Sequence, residues 1–107
     1  MAKNEFDENK EIIEELKRLI NKNFVGKEIE IEFMNRLHRG IVINETKNTF
    51  EIIEDEKIKK FIKNAIKFRV KIDEKWSKMV KGKYFTQRLE ERLRQKVIFF
   101  KNPLLEE

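Results

Sequence analysis

The chain has 107 residues, 42% of them charged and 39% hydrophobic, with one histidine, no cysteine and a formal net charge of +5. That length holds one domain with a single modest core, and the lack of cysteine excludes disulfides, thiolate nucleophiles and thiolate zinc ligands together. No apolar run is long enough to cross a bilayer, and the first residues lack the cationic-then-apolar order of a signal peptide, so a cytoplasmic protein without membrane contact is expected. The charge is polarised. Between Lys57 and Lys101 sixteen Lys and Arg stand against four Asp and Glu, while residues 1–23, 24–56 and 102–107 are each net acidic. A small protein with one strongly cationic part is expected to meet a polyanion, of which nucleic acid is the commonest in a cell.

In chain order, Ile12, Ile13, Leu16, Leu19 and Ile20 recur at helical spacing and predict an amphipathic helix from Asn9 to about Asn21. Asn9 is its candidate N-cap, and Glu14 sits four residues before Arg18 in the favourable order for an ion pair. The apolar stripe either packs on the chain's own core or partly seats a partner, and the residues alone leave both open. After Gly26 the period changes to two, with Ile29, Ile31 and Phe33 alternating with Glu28, Glu30 and Glu32, the pattern of a half-buried strand. A second strand is expected from about Arg39 to Glu45, and a third from Thr49 with Phe50 and Ile52 facing inward; Thr46-Lys47-Asn48 between them has turn chemistry. Ile58 to Ile62 read as a short strand and Lys63-Asn64 as a turn. Ile66, Phe68, Val70 and Ile72 then alternate with Lys67, Arg69, Lys71 and Asp73, one apolar face against one mainly cationic face.

A polar link from Asp73 to Lys78 leads to a last strand at about Val80 to Phe85, and Thr86 caps a closing helix striped by Leu89, Leu93 and Val97. The expected layout is one domain: a helical extension over 1–23, a barrel over 24–85, a helix over 86–101 and a tail over 102–107. The fold class is mainly β, a small, strongly bent antiparallel barrel of five to six strands flanked by terminal helices, because closure is how so short a sheet avoids exposed edges.

The cations sort into candidate contacts for a phosphate backbone. Lys67, Arg69 and Lys71 project from one strand face and Lys81 and Lys83 from the next, while Arg88, Arg92 and Lys96 repeat every four residues along the closing helix. Chemistry of an enzyme is harder to assemble. The single His38, between Arg36 and Arg39, reads as an exposed loop residue without an orienting carboxylate, and Glu54-Asp55-Glu56 as a solvated strand end rather than a magnesium site. No active site is expected in this chain. Trp76, between Lys75 and Lys78, either seals a barrel edge, the commoner role of a lone Trp between strands, or stacks a base. Phe61, Phe68 and Phe99 fit core positions.

Three stretches in order, Phe24-Val25-Gly26-Lys27, Gly40-Ile41-Val42-Ile43-Asn44-Glu45-Thr46-Lys47-Asn48-Thr49 and Gln87-Arg88-Leu89-Glu90-Glu91-Arg92-Leu93, resemble protein component 1 of archaeal ribonuclease P, relative of the eukaryotic twenty-nine-kilodalton-type subunit. The resemblance spans roughly residues 20 to 98 and is most specific from Asn44 to Thr49. It implies an Sm-like barrel that binds RNA and is not itself the catalyst. The RNA subunit would remove the 5′ leader of precursor tRNA with magnesium held by the RNA, and the protein would bind no cofactor of its own. The implied partners are the ribonuclease P RNA, a zinc-ribbon protein subunit and, indirectly, precursor tRNA, with a monomer in isolation. By the same resemblance, Arg39, Thr46, Lys47 and Asn48 join the RNA contacts, and Ile12, Leu16 and Ile20 become the protein-partner surface. The connection from Phe33 to Gly40 is shorter than the family usually has, and a Gly-Arg-Pro commonly found before Glu90 is missing. The competing readings are another Sm-like or translation-associated RNA-binding module and, far behind, a metal-dependent nuclease acting alone.

Overall fold

The computed structural model describes residues 5–86, with side chains described from Lys10 onward. One helix, α1 (Glu5–Leu19), precedes β1 (Glu28–Phe33), β2 (Arg36–Glu45), β3 (Thr49–Glu54), β4 (Lys57–Ile62), β5 (Lys67–Ile72), β6 (Lys75–Trp76) and β7 (Val80–Lys81). Two short 3₁₀ turns, Lys63–Ala65 and Gly82–Phe85, follow β4 and β7. The strands make one bent antiparallel sheet in the order β4-β3-β2-β1-β5-β6, with β7 also on β5. The mainly-β class is as expected, while the hydrogen-bonded path stays open and does not close into a barrel. The closing helix and the tail lie outside the described residues.

Most strands follow their alternation. Ile29, Ile31, Phe50, Ile52, Phe68, Val70 and Ile72 are all buried, and the charged residues between them face outward. Three connections are tighter than the sequence suggests: Met34-Asn35, Asp55-Glu56 and Asp73-Glu74 each put two successive non-glycine residues at positive φ, between 51° and 69°. Paired left-handed residues are the signature of two-residue type I′ hairpins, whose twist matches that of the flanking strands. The first of these turns starts β2 at Arg36 instead of Arg39 and places His38 within the strand. The third makes β6 out of what reads as a polar link.

The last strand departs most. It lasts two residues, and β6 and β7 divide one edge of β5 between them, pairing Lys71 with Trp76 and Lys67 with Lys81. In the gap, the Ser77 hydroxyl accepts the Val70 N–H at 3.0 Å and the Ser77 N–H donates to the Val70 carbonyl at 2.8 Å. The ladder is thus continued by a side chain, and the backbone is released into the Gly82–Phe85 turn.

Four fully buried rings, Phe24, Phe50, Phe68 and Phe85, form the centre of the core with centroids 5.1–5.9 Å apart in tilted and edge-to-face arrangements. Such geometry opposes a positive ring edge to a negative face and adds to burial. Leu16, Leu19 and Ile20 of and just after α1 close the core from outside the sheet, with Ile12 packed against them. This corrects the expected partner surface. Leu16 and Ile20 are completely buried by the chain's own core, and Ile12 alone of the three keeps partial exposure. The helix also begins earlier than Asn9, which is therefore an interior residue and not the N-cap. Arg18 pairs with Glu15, at 3.0 Å, instead of Glu14, because the Glu15 carboxylate is turned inward to accept the Lys78 backbone N–H at 2.7 Å. On the opposite side of the sheet, Ile41, Ile53 and Ile58 stand side by side across β2, β3 and β4 and are all exposed.

A buried lysine joins the parts that the open ladder leaves apart. The Lys63 side chain has no exposure, and its ammonium donates to Glu45 Oε2 at 2.7 Å, the Thr46 carbonyl at 2.7 Å and the Phe85 carbonyl at 2.8 Å. Its backbone N–H donates to the Asn48 carbonyl at 2.8 Å. An ammonium has three protons and no acceptor, so these three partners satisfy it completely. Gly82 lets the two 3₁₀ turns meet: a Cβ there would sit 2.2 Å from the Lys63 carbonyl oxygen. Replacing Lys63 by Ala takes the ammonium away from the largely buried Glu45 carboxylate and from two carbonyls, and urea denaturation is expected to show a loss of about 3–5 kcal/mol. A loss below about 1 kcal/mol would mean that the clamp is dispensable.

Candidate nucleic-acid interface

On the outer face of the sheet the cationic side of β5 meets the acidic side of β1. The register sets Glu30 beside Arg69 and Glu32 beside Lys67. Glu30 is buried, and its two oxygens accept from Arg69 Nε at 2.7 Å and Arg39 Nη2 at 2.9 Å. Burial pushes the Glu30 carboxyl up, but the hydrogen bonds from Arg39 and Arg69 more than reverse this and hold it below the ordinary range. Lys71 lies 3.7 Å from Glu28. Three of the sequence-predicted RNA contacts, Arg39, Arg69 and Lys71, are therefore tied to carboxylates across the ladder. Trp76 lies over this cluster, with the Arg69 and Arg39 guanidinium carbons 4.9 Å and 5.3 Å from its ring centroid.

Lys67, Lys81 and Lys83 differ. All three are exposed, and none forms an ion pair among the described residues; Lys83 lies over the Tyr84 ring at 5.4 Å. Lys67 and Lys81 are direct partners across the β5–β7 ladder. Like charges placed opposite each other destabilise a pair unless a counter-charge intervenes. These lysines border an open groove of about 290 Å³ completed by Glu32, Met34, Asn35, Asn64, Ala65 and Ile66. Asn35 and Asn64 were not foreseen as site residues. They come from a turn and a 3₁₀ segment that only the folded register brings together.

The predicted turn holds as a hairpin, with its side chains divided. The Thr46 hydroxyl is occupied in closing it, 2.6 Å from Thr49 Oγ1 and accepting the Thr49 N–H at 3.1 Å. Lys47 and Asn48 are exposed at the tip, with no side-chain hydrogen bond among the described residues. Through Lys63 this hairpin is fastened to the turn that carries Asn64 and to the backbone of Phe85, just beyond Lys83. Arg88, Arg92 and Lys96 lie outside the described residues.

The profile of the ribonuclease P/MRP subunit p29 family matches residues 17–95, a span that contains all three resembling stretches. The chain belongs to the ribonuclease P/MRP subunit p29 family. No individual curated protein matches it. Membership makes it a protein subunit of ribonuclease P/MRP and connects it with tRNA processing.

For a member of this family, the remaining chemically distinctive pair is His38 with Glu54. His38 is half-buried in β2, its ring tilted against that of Phe61 at 5.0 Å, and its Nδ1 lies 2.9 Å from Glu54 Oε1, which corrects the expectation of an exposed loop residue without a carboxylate. The same carboxylate accepts from Lys59 Nζ at 2.9 Å and the Arg39 N–H at 3.2 Å, so it braces β2, β3 and β4 together. Among the described residues no three His, Cys, Asp or Glu side chains are grouped to hold a metal ion. The Lys59 hydrogen bond, helped by His38 and the Arg39 backbone against a smaller effect of burial, lowers the Glu54 pKa from 4.5 to about 2. A depressed carboxyl stabilises the fold above its unfolded pKa and loses that contribution as pH falls towards the folded value. Stability should therefore decline between pH 4.5 and 2. Glu54→Gln should flatten that decline and cost about 1 kcal/mol at neutral pH, the pairs being partly exposed and screened. Chemical denaturation across pH checks both; an unchanged slope in the variant would assign the acid sensitivity elsewhere.

Proposed function

We propose that this chain is a non-catalytic, RNA-binding subunit of ribonuclease P, which stabilises the RNA that removes the 5′ leader of precursor tRNA. The observation that carries this reading is the opposed pair Lys67 and Lys81, joined by Lys83 around one groove without ion pairing among the described residues. A phosphate backbone laid there supplies counter-charge that the single Glu32 carboxylate of the groove does not match, and releases the counterions that RNA had condensed. Lys47 and Asn48 extend the same surface at the hairpin tip, while Arg39, Arg69 and Lys71, already paired, contribute positioning more than net charge. In this reading magnesium belongs to the RNA and the protein binds no cofactor. Precursor tRNA is met through the RNA, and the chain is a cytoplasmic monomer outside the complex. A zinc-ribbon subunit remains the expected protein partner; the exposed row Ile41, Ile53 and Ile58, rather than Leu16 and Ile20, is the apolar surface open to it.

Replacing Lys67, Lys81 and Lys83 together by Ala should weaken binding to ribonuclease P RNA about ten-fold or more at moderate salt. It should also reduce the slope of log affinity against log salt by roughly 2–3. Stability should hold or rise, because a like-charge opposition is removed. Replacing Arg69 and Lys71 should change the salt slope less. Filter binding across a salt series reads these quantities, and reconstituted 5′ processing at low magnesium should fall in parallel. Unchanged affinity and slope in the triple variant would remove the groove from RNA binding.

A further inference from the structure

Of the two roles open to Trp76, sealing a barrel edge or stacking a base, its place on β6 outside the buried core bears on the second. It pairs with Lys71, so its indole projects to the outer face of the sheet with Lys67, Arg69 and Lys71, away from the buried ring cluster. The ring is half-buried, and what it covers is charged: the guanidinium groups of Arg69 and Arg39, which Glu30 clamps from the strand between them. A cation over an indole face is attractive, and two of them held by one carboxylate fix the ring's orientation before any ligand arrives. The remaining guanidinium N–H groups make no hydrogen bonds among the described residues, and the Arg39 side chain is 59% exposed. A flat, pre-ordered aromatic surface bordered by donors with unused N–H groups matches one ligand chemistry: a nucleobase stacked on the ring with its phosphate turned towards the arginines.

We propose that Trp76, Arg39 and Arg69 form a stacking subsite for an unpaired base, separate from the lysine groove that neutralises backbone charge. This rests on the RNA-binding reading and specifies what part of an RNA is recognised: a splayed-out nucleotide in a loop, bulge or single strand. Bases inside a duplex are stacked on one another and cannot occupy it.

Trp76 is the only tryptophan in the chain, so its fluorescence reports on the site without a label. The full chain is titrated with an unpaired ribonucleotide of about six bases, with an RNA duplex, and with inorganic polyphosphate of matched charge. The expected result is strong quenching by the unpaired RNA and little by polyphosphate at equal occupancy. Trp76→Ala should lose about ten-fold in affinity for unpaired RNA while keeping duplex affinity within about two-fold, and Trp76→Phe should fall between. Duplex binding with no tryptophan-dependent preference for unpaired RNA, or equal quenching by polyphosphate, overturns the stacking site and leaves the RNA-binding reading in place. Failure to bind either RNA overturns both. Because quenching is read on the unsubstituted chain, a variant that folds poorly does not decide the outcome.

Discussion

The architecture depends on one buried ammonium. An open sheet of short strands leaves its two ends to be joined by something other than a ladder, and Lys63 joins them through side-chain bonds to Glu45, Thr46 and Phe85 and a backbone bond to Asn48. The desolvation of a charge in such a place costs several kcal/mol, so the arrangement is stable only with every proton of the ammonium satisfied. That condition is restrictive. It sets the hairpin tip, the end of β4 and the turn after β7 in one relative position, and the close approach at Gly82 keeps the two 3₁₀ turns in register. The Phe50 ring, 5.0 Å from the ammonium, ties this polar clamp directly to the aromatic core. The lysine groove and the hairpin tip are thus neighbours because a different lysine is hidden beneath them.

Net charge counted along the chain overstates the cationic surface. The excess of Lys and Arg after Lys57 is real, but antiparallel pairing folds the acidic β1 against the basic β5, and Lys63 disappears into the interior. Charge that counts towards a polyanion is what remains after these cancellations. It is concentrated around Lys81 opposite Lys67 and Lys83 beyond it, where three lysines gather about the single Glu32 carboxylate without an ion pair among the described residues. A ladder therefore acts as a filter: the same residue type becomes structural or available according to what the register sets across from it.

Much of this was legible beforehand, for physical reasons that differ by element. The strict alternation around Ile29, Phe50 and Phe68 identified the buried faces because a period of two has only one way to bury an apolar set. The hairpins at Met34-Asn35 and Asp73-Glu74 were not legible, since their left-handed residues are not glycines and carry no turn signature strong enough to move a strand boundary. The last strand failed for a related reason: a serine hydroxyl replaces a backbone partner at Val70, and no alternation announces that. The helix stripe was read correctly as apolar, but pattern alone does not distinguish a core from a partner, and Leu16 and Ile20 proved to belong to the core. Glu30 looked like one more exposed acid until the structure brought an arginine to each of its oxygens.

The outer face then divides by stiffness as well as by charge. At one end Glu30 immobilises two arginines and a tryptophan, so whatever binds there meets groups whose orientation is already settled and loses little entropy in engaging them. At the other end exposed lysines swing on flexible stems, which tolerate many backbone paths and respond to ionic strength. Attraction without orientation would hold any polyanion, and orientation without attraction would hold none at physiological salt. In the proposed reading, separating the two on one sheet would let the flexible end collect a phosphate backbone of variable course while the rigid end selects the place along it where the chain is unpaired.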